Sequence, residues 1–136
     1  MQKAEFQDKT SSLDFTWIIK KLTQKDPNVA KLWTKEGVED AIMQYKNFMF
    51  LLYKYHGRED LKLVPSIEVD EIWHHHILDT RSYARDCSNI YGYFMHHFPY
   101  FGMRGDDDFK DLNACFAKTQ EIYFEEFGEY MFEVDF

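Results

Sequence analysis

The chain has 136 residues, 45% hydrophobic and 18% aromatic, and 24 acidic side chains outnumber 16 basic ones to give a net charge of −8. That length fits one domain with one core, and the apolar content excludes a disordered chain. The acidic balance repels phosphate backbones and anionic bilayers, so neither nucleic acid nor a membrane is expected as a partner.

The first stretch, residues 1–10, is polar and reads as frayed, with no apolar core of a signal peptide. Ser11 or Ser12 then caps a helix carrying Leu13, Trp17, Ile18 and Leu22. Pro27 suits the first turn of a short helix carrying Val29, Leu32 and Trp33. Thr34 opens the most strongly periodic helix, in which Val38, Ala41, Ile42, Tyr45, Phe48, Met49 and Leu52 recur at helical spacing up to Gly57. Phe50, Leu51 and Tyr53 add apolar area on other faces, which makes this helix the expected centre.

A polar connector leads to Pro65 and Ser66, which start a helix ending near Leu78. Asp79 or Thr80 caps the next, which reaches Ile90 and stops at Gly92. A loop with one Pro and two Gly follows. One of Asp106, Asp107 or Asp108 caps the last helix, whose face is Phe109, Leu112, Phe116, Tyr123 and Phe127, closed by Gly128. No hairpin dipeptide separates alternating runs. The reading is therefore an all-α, single-domain bundle of roughly five to six helices spanning 1–136. No run is long enough to span a membrane, and a cytoplasmic location follows by default. Cys87 and Cys115 form no CxxC pair and read as reduced helix cysteines.

Chemistry concentrates in one region, because five of the six histidines lie between His74 and His97. A helix turns about 100° per residue. On that wheel Val69, Ile72, Trp73 and Ile77 form an arc facing the core, with His76 inside it. His74 falls at the edge beside Asp70, and His75 falls with Glu71 and Asp79 on the polar side. One helix therefore cannot aim all three histidines at one ion.

Asp70 and His74 stand at i, i+4, a spacing that lets them share a metal or lets the carboxylate fix the imidazole tautomer. His96 or His97 would complete a site of N and O donors suited to zinc or iron. The aromatic loop, with Tyr93, Phe94, His96 and Tyr100, together with Trp73, would bound a pocket for a small molecule. The opposing reading is a scaffold or protein-interaction domain whose histidines are structural. A pocket with convergent polar groups would favour the first, and histidines each satisfied by a separate partner would favour the second. Neither reading names a substrate, a partner or an oligomeric state.

The stretches YKNFMFLL, VPSIEVDEIWHHHILDTRSYARDC and IYGYFMHHFPYFG resemble the glycine-rich domain-containing protein-like family. The shared pattern is a Tyr-x-x-Phe helix, Asp-x-x-Trp-His-x-His, an Asp-Cys pair, then Gly-x-Phe leading to His-His and Pro. Here it falls on Tyr45, Phe48, Pro65, Asp70, Trp73, His74, His76, Asp86, Cys87, Gly92, Phe94, His97 and Pro99, within residues 33–102. With only 6 Gly, the chain looks like a short, stand-alone version. The resemblance brings a motif and no reaction. It points to Asp70, His74, His76 and His97 as the metal or acid–base set, with Asp70, His74 and His97 in the catalytic role, and it favours His97 over His96. Its middle histidine position varies, which agrees with an exposed His75.

Overall fold

The structure is a computed structural model, and it describes residues 1–25 and 32–134. The central element is α3 (Lys35–Lys54). Its start is chemical: Thr34 is extended and its hydroxyl accepts the Gly37 N–H at 3.0 Å, satisfying one of the donors that a first turn leaves unpaired. Val38, Ala41, Ile42, Tyr45, Phe48 and Met49 are buried, and so are Gln44, Phe50 and Leu51. A helix covered on so much of its circumference needs neighbours on several sides, and α3 contacts four of the other five helices.

Those neighbours are α1 (Lys3–Ser11), α2 (Thr16–Thr23), α4 (Ile67–Leu78) and α6 (Asp106–Phe127), while α5 (Thr80–Ile90) packs on α4 and α1. No strand occurs among the described residues, and the fold is all-α. Ser66 caps α4 by accepting the Val69 N–H at 3.2 Å. Asp79 ends α4 and caps α5 through the Ser82 N–H at 3.4 Å. Gly92 and Gly128 both adopt left-handed φ (82° and 75°) just past helix ends, where a side chain would be strained. Among the described residues no helix is long and apolar enough to cross a membrane.

Four features differ from the sequence reading. Residues 3–11 are not frayed but form α1. Its Phe6 is fully buried, ringed by Phe50, Tyr53 and Tyr91, so one aromatic anchors an otherwise polar helix. Ser11 and Ser12 close α1 rather than open α2: their hydroxyls turn back to the Asp8 and Lys9 carbonyls. Asp14 supplies the start of α2, accepting both the N–H and the hydroxyl of Thr16, and Trp17 faces solvent. Leu32 and Trp33 are not helical. The Trp33 N–H instead bonds the Leu22 carbonyl at 2.9 Å, and the remainder of that expected helix, with Pro27 and Val29, lies outside the described residues. Finally, α6 has Gly105 at its N-cap. Asp108 turns backward onto the preceding loop, accepting the Gly102 and Arg104 N–H groups and the Arg104 guanidinium. That set of donors holds its carboxyl down at about 2.

The cap on α4 gives a direct check. Ser66→Ala should lower stability by about 1 kcal/mol in urea denaturation. The exposed Ser88→Ala should change it by less than about 0.5 kcal/mol.

Candidate functional site

The polar centre of the molecule starts on α3. The Tyr45 hydroxyl lies 2.7 Å from Nδ1 of His76, and Nε2 of His76 lies 2.8 Å from Oδ2 of Asp86. Asp86 is a carboxylate and only accepts, so Nε2 must carry the proton; Nδ1 is then bare and accepts the Tyr45 O–H. A neutral imidazole thus satisfies three helices at once. Burial pushes the His76 pKa down, opposed by its bond to Asp86. Burial likewise pushes Tyr45 far up, so its hydroxyl stays a donor. Edge-on rings of Phe15 and Tyr83 close over the imidazole.

One turn back along α4, Trp73 builds the second line of contacts. Its indole N–H donates to the Tyr83 hydroxyl at 3.0 Å, and that hydroxyl donates to the Met95 carbonyl. The loop after α5 is thereby tied to α4 through α5. Two residues later His97 stacks on the Trp73 ring, 3.9 Å between centroids and 21° between planes. Its Nε2 sits 2.8 Å from Oδ1 of Asp70. Gly92 lets the chain turn back after α5 and Met95 is buried, while Phe94, Phe98 and Tyr100 stay exposed, so His97 reaches the Trp73 ring without the whole aromatic loop being covered.

His74 and His75 are placed differently from the wheel. His75 is buried (8%) and its Nε2 lies 3.1 Å from Oε1 of Glu71, whereas His74 is exposed and makes no hydrogen bond among the described residues. The wheel treats α4 as having one covered face. In the fold α2, α3 and α5 all pack on it, so burial spreads beyond the apolar arc. His74 therefore does not pair with Asp70; His97 does.

The residues expected to share one ion are thus divided among three places. Asp70 and His97 meet, His76 belongs to the Tyr45–Asp86 relay with both nitrogens engaged, and His74 faces solvent. No group of three or more His, Cys, Asp or Glu positioned for a metal occurs among the described residues. Asp70 and His97 together supply two donors, one fewer than the three protein ligands of an open zinc site. Cys87 is buried, and burial raises its thiol pKa, the opposite of an activated nucleophile.

Asp70, Trp73 and His97 stand on the wall of an open groove of about 1120 Å³. It runs between the 56–66 connector, the start of α4, the 95–104 loop and α6, and ends at Met131–Glu133. His96 also lines it. Tyr93, Phe94 and Tyr100, expected in the pocket, do not: Tyr93 stacks on His56, Phe94 meets Tyr83 edge-on, and Tyr100 lies against Phe98. The pocket wall comes instead from Lys62, Phe109 and Phe116, which only the folded connector and α6 bring together. Large apolar side chains stay exposed along it, among them Ile67 (83%), Phe98 (54%) and Phe109 (56%).

These placements separate the histidines energetically. His76→Ala should cost about 2–3 kcal/mol, because Tyr45 and Asp86 lose their partner, while His74→Ala should stay within about 0.5 kcal/mol. His76 also sets a pH dependence. Its folded pKa lies below the unfolded value of about 6.5, so its contribution is full above that pH and is lost as pH falls through it, when the unfolded chain binds the proton first. Urea denaturation between pH 7.5 and 5.5 should therefore show a steeper loss for the wild type than for His76→Gln, by no more than about 1.4 kcal/mol per pH unit.

Comparison with known proteins places the chain in a family. The UCP032817-like family matches residues 9–120. Two Arabidopsis thaliana relatives, glycine-rich domain-containing proteins 1 and 2, are 34% and 31% identical over 93 residues. Those residues are 67% of this chain and 11% of each relative, so the chain spans about a tenth of the curated relatives it matches. No solved structure matches it. The chain belongs to the UCP032817-like family, and its curated relatives are glycine-rich domain-containing proteins.

Proposed function

We propose that this chain is a non-catalytic interaction domain in which the histidine motif assembles a binding face. One observation carries the reading: His75, His76 and His97 each bond a different carboxylate, Glu71, Asp86 and Asp70. A reactive centre gathers its groups on one reacting atom, whereas here His75 bonds within α4, His76 joins α4 to α5, and His97 fastens the following loop to α4. The groove is longer and more open than an enclosed small-molecule pocket usually is, and its exposed Ile67, Phe98 and Phe109 form the kind of apolar rim found at protein contacts.

A second reading keeps one specific support. His97 is held by Asp70 on the groove wall, and among the described residues its Nδ1 has no hydrogen-bond partner, the arrangement of an imidazole oriented by a carboxylate for acid–base work. A zinc or iron ion held by Asp70 and His97 with donors from a ligand belongs to this second reading.

Stability separates the two. Groups kept for chemistry are commonly neutral or unfavourable for folding, so removing them leaves stability unchanged or raised. A pair kept for structure behaves oppositely. His97→Ala, which loses both the Trp73 stack and the Asp70 bond, should cost about 1–2 kcal/mol. A double-mutant cycle with Asp70→Ala should give a coupling of about 0.5–1 kcal/mol. Stabilisation by either single change, or stoichiometric zinc or iron in protein purified without a His-tag, would transfer the assignment to the acid–base or metal site.

A further inference from the structure

The segment after α6 is held in an unusual way. Gly128 ends the helix, and residues 129–134 run on with neither helix nor strand. An extended segment ordinarily satisfies its backbone by pairing in a sheet. Here two glutamines do so. Gln120 of α6 takes both backbone groups of Met131: its Nε2 donates to the carbonyl at 2.9 Å, and its Oε1 accepts the N–H at 2.8 Å. Gln44 of α3 does the same for the next residue, donating to the Phe132 carbonyl at 3.3 Å and accepting its N–H at 2.9 Å.

Consecutive residues therefore turn their polar groups toward two different helices, the alternation that an extended chain imposes. The side chains sort as well. Met131 and Val134 are buried (5% and 8%), whereas Phe132 and Glu133 are exposed. Gln44 is itself fully buried, an unfavourable place for an amide unless both ends are bonded, and both of its bonds go to this one residue. Reading the backbone with fixed polar groups and the sequence with pockets for spaced side chains is how extended peptides are recognised.

We propose that the slot between α3 and α6 is a peptide-binding site. It takes an extended segment with aliphatic residues at its first and fourth positions, and Met131–Val134 is its resident occupant, displaced when a partner peptide of that chemistry binds. The site is distinct from the histidine rim and stands whether or not that rim performs chemistry. The attachment suits exchange, because all four hydrogen bonds come from side-chain amides and their loss breaks no helical bond. Among the described residues no ion pair holds the segment. Charge names the partner further. The chain carries −8, a total to which the resident segment contributes Glu129 and Glu133, so a partner with basic residues at the exposed positions binds better than the resident.

The test uses fluorescein-labelled synthetic peptides: residues 128–136 as they stand, and the same peptide with Glu129→Lys and Glu133→Lys. Each is titrated by fluorescence polarisation into the full wild-type chain and into a full chain with Met131→Asp and Val134→Asp, which frees the slot. The freed chain should bind at least about tenfold tighter than the wild type, because the tethered segment competes at high effective concentration. The lysine peptide should bind tighter still and weaken with salt, and Gln44→Leu in the freed chain should abolish binding. No binding to a freed chain whose circular dichroism is that of the folded wild type would overturn the proposal, as would binding indifferent to Gln44→Leu. Where the freed chain does not fold, the wild type is titrated with unlabelled lysine peptide and followed by NMR. Movement of the Met131 and Phe132 amide signals to unstructured positions supports displacement, and unchanged signals at millimolar peptide overturn it. A wild-type dimer that the peptide dissolves would make a second copy the occupant and overturn the partner assigned here.

Discussion

The hydrogen-bonded line from Tyr45 through His76 to Asp86 is the constraint on which the other placements depend. It joins α3, α4 and α5 at one imidazole that is 2% exposed. A buried polar network is favourable only when every member is satisfied, and here each group has one partner of the right kind. Rotating α4 by one residue would strand a tyrosine hydroxyl and a carboxylate in apolar surroundings, at a cost far above that of losing one apolar contact. The relay therefore fixes which face α4 presents. Trp73 then meets Phe48 and Tyr83, Tyr83 reaches Met95, and the loop is delivered to where His97 can stack.

That dependence gives the sequence motif a physical meaning. Most residues of the Asp-x-x-Trp-His-x-His pattern and its flanking elements hold helices or the loop together: Tyr45, His76 and Asp86 at the relay, Phe48 and Trp73 in the ring contacts, Gly92 at the turn, Asp70 and His97 at the loop's end. His74, by contrast, is exposed although the pattern includes it. A histidine-rich helix resembles a metal site because imidazole is the commonest metal ligand, yet the same ring is well suited to bridge a hydroxyl and a carboxylate with one proton to give and one lone pair to receive. Residue type alone does not separate these uses; the number of carboxylates available to each ring does.

What was legible in the sequence follows from the range of the forces involved. The caps Thr34, Ser66 and Asp79 and the terminating Gly92 and Gly128 act within a few residues, so their places could be read directly. The approach of His97 to Asp70 was legible only in part: the residues offered His96 or His97, the family pattern favoured His97, and the expected partner His74 stands in solvent. The buried His75 and the helical start of the chain were not readable. His75 depends on α2 and α5 covering faces that a single wheel leaves open, and α1 depends on one residue, Phe6, finding the far side of α3. Tyr45 and Asp86 stood within the family pattern, but nothing in their spacing revealed that His76 would bring them together. Gln44 and Gln120 gave no signal at all, since a glutamine on a helix is ordinarily a solvated one.

The two ways this fold satisfies polar groups also differ in what they permit. The relay lies where α3, α4 and α5 pack, so opening it requires separating helices that carry most of the core. The segment after α6 is held by amide side chains, two aliphatic contacts and the Tyr130 ring stacked on Phe124, and no helical hydrogen bond is lost when it leaves. Local opening free energies span from near zero to the global stability, and mobile, ligand-exchanging parts belong at the low end. The molecule is therefore built as a rigid helical frame, locked by a neutral histidine, carrying one edge whose hydrogen bonds centre on two consecutive residues and are local in extent. The histidine motif belongs to the frame, and the exchangeable edge lies where no motif announces it.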